Sequence, residues 1–497
     1  MPNRGPQLPL IDALRDGHPE NEESSSPSLW WDGLARPHAE PPLETDLATR
    51  YAIVGGGYTG LWTAYFLKKA KPDADIVLVE AQRIGHGASG RNGGWLMGAV
   101  EGASSFTDDR GGLSEATRYQ LTQLVKRAGE TLASEGIDCD FHHGGCVMAA
   151  ARHTAQIGRA RKLLEYFRGL GFGESDYQWL TPGELSDRIQ VVSPGGGVFT
   201  PHVARVHPAK LVIGLAHVVK SMGVRVFEYT RAHDIKSGIV RCDRGTVSAE
   251  KIVVATEGYS ENGNPLHRRL IPVQTGMVAT EPLSKAQWSN IGFHQRETFA
   301  DCTRAATYLQ RTADNRLVIG ARGHYLPGGL PQHVLRDSTA IRQHRERIAL
   351  SLFPQLQGVR FTHCWGGSVG VPRAWRPHVL YDAETGVGSA GGYVGEGVGA
   401  SFLFGQTLAE LMTGQDTERT AMPWVEHRSI AVLKSWEPEP LPRAGLNATM
   451  MLFGAEEWLL DRYGNGWPAR IAGWACDHLQ RHLSPQSNGT SRRLIND

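Results

Sequence analysis

What the chain lacks narrows its class before any motif is read. Only six of its 497 residues are cysteine (Cys139, Cys146, Cys242, Cys302, Cys364 and Cys476), with no CxxC pair and no metal-ligand spacing. Few, scattered cysteines suit a reducing compartment better than a disulfide scaffold, and no metal is expected. No run of about 18 apolar residues occurs, and the first residues carry no apolar signal core. Charge of one sign is missing too: 52 Lys and Arg stand against 51 Asp and Glu. That balance leaves no electrostatic footprint for nucleic acid or an anionic membrane. Together these absences predict a soluble cytoplasmic protein that binds neither. The 20 histidines, His142-His143 among them, show no metal-like spacing, and no acid–base triad is found.

What is present has globular balance, 40% apolar and 21% charged, in a chain long enough for two joined lobes rather than one core. Residues 1–28 are rich in Pro, Ser, Glu and Asn and are expected to form a disordered or surface-draped arm. Trp30-Trp31 begin an apolar anchor over 29–46, and 484–497 read as a loose polar tail. Between them strands and helices alternate. Ala52-Ile53-Val54, a helix from Leu61 to Lys69 and the strand Ile76-Val77-Leu78-Val79 make a βαβ unit of ordinary crossover length. Helical periods recur at Leu121, Leu124, Val125, Ala128 and Leu132, and at Ile157, Ala160, Leu163, Leu164 and Phe167. Strand-like runs return at Lys251–Thr256 and at Val387–Ala390, the latter leading through a glycine turn into a helix from Ala400 to Met412.

The first chemical signal is Gly55-Gly56-Gly57-Tyr58-Thr59-Gly60, a G-x-G-x-x-G between strand and helix. Its glycines permit a tight turn and let backbone approach a pyrophosphate seated on the helix N-terminus. Glu80 ends the second strand 20 residues after Gly60. A carboxylate there accepts hydrogen bonds from ribose hydroxyls and repels the 2′-phosphate of NADP. Strand, helix and terminal acid together predict dinucleotide binding. A second fingerprint is incomplete: Gly395-Glu396-Gly397-Val398-Gly399-Ala400 follows a strand, but no further strand ending in an acid follows it. That argues against NAD(P)H as a redox partner.

The fingerprint is joined by Gly87-Ala88-Ser89-Gly90-Arg91-Asn92-Gly93-Gly94 and by Gly391-Gly392-Tyr393-Val394-Gly395-Glu396-Gly397-Val398-Gly399. With these, with Trp30-Trp31, with Val254–Tyr259, Thr280–Leu283, Asp314–Leu317 and Trp365-Gly366-Gly367, and with Trp436–Pro440, the chain resembles the D-amino-acid-oxidase-like superfamily of FAD-dependent oxidoreductases. Within it the chain is most similar to the gamma-glutamylputrescine oxidase-like group. The resemblance implies an α/β fold: a discontinuous Rossmann-like FAD-binding domain (47–115, 195–275 and 385–417) with an inserted α+β substrate domain of mixed or antiparallel sheet (116–194 and 276–384). A C-terminal extension follows over 418–483. FAD contacts are expected at Gly55, Gly57, Tyr58, Thr59, Gly60, Glu80 and Ala81. Further contacts are expected at Gly87, Ala88, Ser89, Arg91, Asn92, Gly93 and Gly94, at Ala255 and Gly258, and at Gly392, Tyr393, Gly395, Gly397 and Val398. A helix N-terminus at the last turn suits the negative charge that reduction builds on the flavin.

The resemblance also places the substrate. Tyr308–Arg311 and Leu317–Arg322 read as a hairpin around Asp314-Asn315, and Tyr308 and Trp365 are the candidate pocket residues. Glycine-oxidase-like relatives carry an arginine after the tryptophan stretch, which clamps the substrate carboxylate. Here that position is Val369, which disfavours a simple α-amino acid and favours an amine. Arg373 and Arg376 are alternatives for a distal anion, or else surface ion pairs. Cys364 lies near the site of a cysteinyl flavin link in monomeric sarcosine oxidases, but noncovalent FAD is expected. Glu396 stands where relatives often have histidine; it faces solvent or substrate, or the flavin's surroundings are unusual. The implied reaction is dehydrogenation of a C–N bond, with a hydride passing to flavin N5, imine hydrolysis, and reoxidation by O2 to give peroxide. The alternatives are a glycine-, sarcosine- or D-amino-acid-type oxidase and an amine dehydrogenase that passes electrons to a carrier.

Overall fold

A computed structural model describes residues 28–325, 331 and 339–483. The arm expected over 1–28, except Ser28, and the tail over 484–497 lie outside them.

The βαβ unit forms where the apolar runs predict it: β1 (Leu47–Val54), α1 (Tyr58–Ala70) and β2 (Ile76–Val79). The inner ends of both strands are buried on two faces, as parallel strands under helices must be. Five parallel strands run in the order Arg225–Phe227, β2, β1, Thr246–Val254 and Val387–Gly391. Strand His378–Asp382 adds antiparallel beyond Val387–Gly391, with Val425–Glu426 at the edge. α1 packs against helix Gly397–Thr413 through Trp62 and Phe402, whose rings meet edge to face at 4.9 Å.

The second sheet has eight strands in the order Phe361–Pro372, Leu270–Thr280, Leu317–Tyr325, Tyr308–Arg311, Thr298–Asp301, Cys146–Ala149, Gly197–Thr200 and Gln178–Leu180. The expected hairpin is present, with Leu309 opposite Ile319 and Asn315 in the left-handed region at the turn. Alternation gives this sheet two faces. Val278, Ile319 and Cys364 pack on helix Thr339–Leu352, while Met277, Val318 and Trp365 pack on Trp30.

Hydrogen-bonding partners place several strands and helices across the expected boundaries. Strands Gly197–Thr200 and Leu270–Thr280 fall wholly or partly in the segment expected at 195–275, yet both pair in the eight-stranded sheet. His378–Asp382, expected with 276–384, pairs with Val387–Gly391. Helices Glu115–Thr122 and Leu124–Ser134, expected with 116–194, bury Leu121, Leu124, Val125 and Ala128 in the core shared by α1 and Gly397–Thr413. The cause is common: a glycine turn marks where a strand ends but not which ladder completes it.

The extension over 418–483 forms two antiparallel helices, Leu441–Tyr463 and Trp467–Leu483. Arg152 fastens the first of them. Its guanidinium lies 2.7 Å from the fully buried Asp301 and 3.2 Å from Glu457. Removing one member of such a cluster strands the others without a counter-charge. Arg152→Ala is therefore expected to cost about 3–5 kcal/mol, read as a lower urea midpoint at unchanged slope.

Candidate cofactor and active site

β1 runs out at Val54 into the turn 55–60. A Cβ on Gly55, whose φ is +114°, would lie 2.5 Å from the Ala255 carbonyl oxygen, and one on Gly60 would lie 2.1 Å from the Gly55 oxygen. Only glycine lets strand end, helix start and neighbouring strand end meet in this way. The first turn of α1 consequently opens on a cavity lined by Gly55, Gly57, Tyr58, Thr59, Glu80, Ala81, Gly87, Ala88, Ser89 and Ala255, which gathers residues expected from four separate stretches. Helix-opening N–H groups lack intrahelical acceptors and carry the positive end of the dipole. Ser89 Oγ accepts the one from Tyr58 at 2.9 Å. Glu80 takes N–H bonds from Gly56 at 2.7 Å and Gln82 at 2.9 Å, and burial still pushes its pKa up.

Asn92 is spent on its own turn. It donates to the carbonyls of Ala88 and Ser89 and accepts from the Gly94 N–H. Two indoles clamp the same stretch: Trp30 donates to the Asn92 carbonyl at 2.8 Å and Trp365 to that of Arg91 at 3.0 Å. Arg91, Trp365 and His86 line a second cavity, which meets the first at Gln82 and His86. Tyr308 lies against Gly93 and Gly320, 6.1 Å from the Trp95 ring, so both expected pocket residues share the face that looks toward the turn 91–94.

Three of the expected contact residues have their hydroxyls engaged elsewhere. The Tyr58 hydroxyl donates to the Pro208 carbonyl, and the Thr59 and Tyr393 hydroxyls bond each other at 3.0 Å inside the core. Gly258 departs from expectation: it packs on the backbone of Gly370 and does not line the cavity, whereas Ala255, Glu257 and Tyr259 do. Gly392, Tyr393, Gly395, Gly397 and Val398 form the turn and first helical residues before Thr413 but line neither cavity.

The FAD dependent oxidoreductase (DAO) family model matches residues 50–411, which is most of the chain. This chain belongs to that family. It is similar to the probable oxidoreductase OrdL of Rhizobium meliloti (strain 1021), 30% identical over 83% of this chain and 92% of that one. It is also similar to the gamma-glutamylputrescine oxidoreductase of Escherichia coli (strain K12), 29% identical over 76% and 86%. Among solved structures, glycine oxidase from Geobacillus kaustophilus superposes with a TM-score of 0.62 at 22% identity, over 74% of this chain and 96% of that chain.

The residues present fit FAD. Glu80 and the α1 N-terminus have the chemistry for a ribose and a pyrophosphate. A further group, absent from the sequence expectations, is Glu257. Its φ is +48°, it is buried, and one oxygen accepts N–H bonds from Gly392 at 2.8 Å and Tyr393 at 3.3 Å. The other oxygen, on a residue lining the cavity, has no hydrogen-bond partner. A left-handed non-glycine residue bearing a buried acid at a strand's carboxyl end is unusual enough to point to a site. The sequence signal was a glutamate directly after a buried strand, between threonine and glycine.

At the substrate end of this FAD-dependent oxidoreductase, Val369 pairs with Val273. Arg373 is held by Glu437 at 2.9 Å and Arg376 by Glu426 at 3.5 Å, so both take the ion-pair alternative. Glu396 is half-buried, and its charge raises the pKa of Tyr166 and Tyr177 after burial has done so.

Burial lifts the Glu257 carboxyl to about 7, against the pull of its two backbone bonds. The native state therefore holds a proton that the unfolded chain releases above a pH of about 4.5. Stability of the apoprotein falls as pH rises from there to the folded pKa, by up to about 1.4 kcal/mol per pH unit. Glu257→Gln is expected to remove that share of the slope, measured as the difference between the two proteins' melting temperatures from pH 5 to pH 8.

Proposed function

We propose that the protein oxidises the C–N bond of an amine that lacks an adjacent carboxylate, and that oxygen reoxidises the cofactor with release of peroxide. The observation that carries this reading is the pair of facts at the substrate end: valine at 369, and the guanidinium groups of Arg373 and Arg376 already engaged by acids. A bidentate fork is the usual holder of a carboxylate, and neither arginine is free to be one. The similarity to a protein named for gamma-glutamylputrescine supports an amine over an α-amino acid.

Bound FAD would supply the two-electron acceptor for breaking the α-C–H bond of the amine. The chain supplies the rest. Trp365 and Tyr308, on an apolar face with Met277 and Val318, exclude water and orient an apolar stem. The N-terminus of helix Gly397–Thr413 stabilises negative charge that collects beside it, and Glu257 fixes the turn that aims this terminus. The resulting imine leaves to hydrolyse in water.

The cofactor is held without a covalent bond. Strand alternation puts Cys364 on the face opposite Trp365, among Val278, Ile341 and Ala349, turned away from the cavities. Acid precipitation is expected to leave all yellow colour in the supernatant; flavin retained in the pellet contradicts this placement.

Anaerobic mixing tests the substrate class. Polyamines, acylated polyamines, aminophosphonates and N-methyl amino acids are screened for bleaching of the visible flavin band. At least one amine is expected to bleach it, with colour and peroxide returning on admission of air. Bleaching by glycine, sarcosine or D-alanine alone would overturn the proposal, and recovery that needs an added carrier would replace oxygen as the acceptor.

A further inference from the structure

The two helices of the C-terminal extension carry apolar side chains on two faces. Their acids point inward, at their own chain. Glu456 lies 2.6 Å from Arg159 and 2.7 Å from Arg304, and Asp477 lies 2.6 Å from Arg304. Phe453, Leu460, Ala469 and Cys476 are buried beside them, and a second set of apolar side chains points outward. On the first helix Leu441, Ala444, Ala448, Met451, Ala455 and Trp458 are all exposed and follow one another at alternating steps of three and four residues. On the second, Trp467, Ile471 and Trp474 continue the same spacing at 74%, 58% and 64% exposure, with Tyr463 exposed at the corner. That spacing gathers side chains into one stripe per helix, which ordinarily faces a partner.

The area is that of an interface. Taking about 200 Å² per aromatic side chain, the stripes expose on the order of 700 Å² of apolar surface. The largest patch on a typical monomer is roughly 300–600 Å², and a standard interface buries roughly 800 Å² per partner. We infer that these two helices are a homodimer interface, each hairpin packing on its twin as an antiparallel four-helix bundle.

Three features favour a second copy. Alanines at 444, 448 and 455 are interspersed with Leu441, Met451 and Trp458, so large side chains can enter gaps over small ones when helix axes approach to about 8–10 Å. A stripe on a two-helix hairpin is complementary to itself under two-fold rotation. Helices that lie on membranes carry an excess of Lys and Arg on their polar face; these two carry no lysine, and their four arginines (Arg443, Arg462, Arg470 and Arg481) are matched by four acids (Glu456, Glu457, Asp461 and Asp477). The hairpin also falls outside the segment matched by the family model, so the surface is an addition to the shared fold.

The FAD-loaded full chain, at tens of micromolar, is expected to show twice the mass of one chain by sedimentation or light scattering. Trp467→Asp combined with Trp474→Asp is expected to give single-chain mass with unchanged flavin absorption and circular dichroism, while Trp474→Phe stays dimeric. Ala448→Glu gives an independent disruption if the tryptophan variant does not fold. A monomeric wild-type protein overturns the inference, as does a dimer that survives both disruptions. A monomeric protein that sediments with phosphatidylglycerol–phosphatidylethanolamine vesicles, and ceases to do so in the tryptophan variant, would assign the surface to a membrane instead.

Discussion

Three adjacent parallel strands end at one level because Val54 pairs with Val254 and Val254 with Ser389. They come from positions some 200 and then 135 residues apart in the chain, and no local signal holds them together. Their ladder does, and the turn after each strand inherits the alignment. Gly55 meets Ala255, Glu257 reaches Gly392 and Tyr393, and Thr59 bonds Tyr393 across the top. A slip of one residue in any of these pairings would turn every side chain of that strand to the other face and separate the turns. The cofactor cavity is thus a consequence of register before it is a consequence of any particular ligand-binding side chain.

Two buried carboxylates at that edge then face a cofactor that is itself anionic. Glu80 is compensated by the N–H groups of Gly56 and Gln82, Glu257 by those of Gly392 and Tyr393. Neither has a cation among its hydrogen-bond partners. A carboxylate held by amides is a good acceptor for hydroxyl groups and a poor neighbour for phosphate, which sorts the polar parts of a dinucleotide along the groove. Glu80 and Glu257 have the chemistry to accept from hydroxyls, and the positive end of α1 has that for phosphate, where Gly57 and Thr59 line the cavity. The pKa of each acid is raised by burial, so its charge costs least when such a hydroxyl is in place.

The fingerprint, Glu80 and the turn 87–94 were legible because tight turns and strand-end acids leave composition behind them: glycine where Cβ cannot fit, and an acid at a fixed distance. The hairpin 308–322 was legible from alternation. What the sequence could not reveal depends on distant partners. Asn92 reads as a ligand but closes its own turn, Gly258 reads as a cofactor contact but is pressed on Gly370, and the hydroxyls of Tyr58 and Tyr393 turn into the core. Glu257 went unassigned for the same reason: its partners are 135 residues away. The split at Gln123 between two helices lies within one continuous apolar period, which periodicity alone reads as a single helix.

The extension is more than a surface. Trp436 donates to the Val371 carbonyl and packs with Ile271, Tyr325, Val273 and Val394, while the Tyr325 hydroxyl is held by Glu439 and its carbonyl by Asn447. Val273 is the register partner of Val369, and Val394 sits in the last glycine turn. The far ends of Leu317–Tyr325 and Phe361–Pro372 are therefore braced by residues beyond 411, outside the segment matched by the family model. The brace thus reaches the sheet that carries Trp365 and Tyr308 through its strand ends, and none of Trp436, Glu439 and Asn447 lines either cavity.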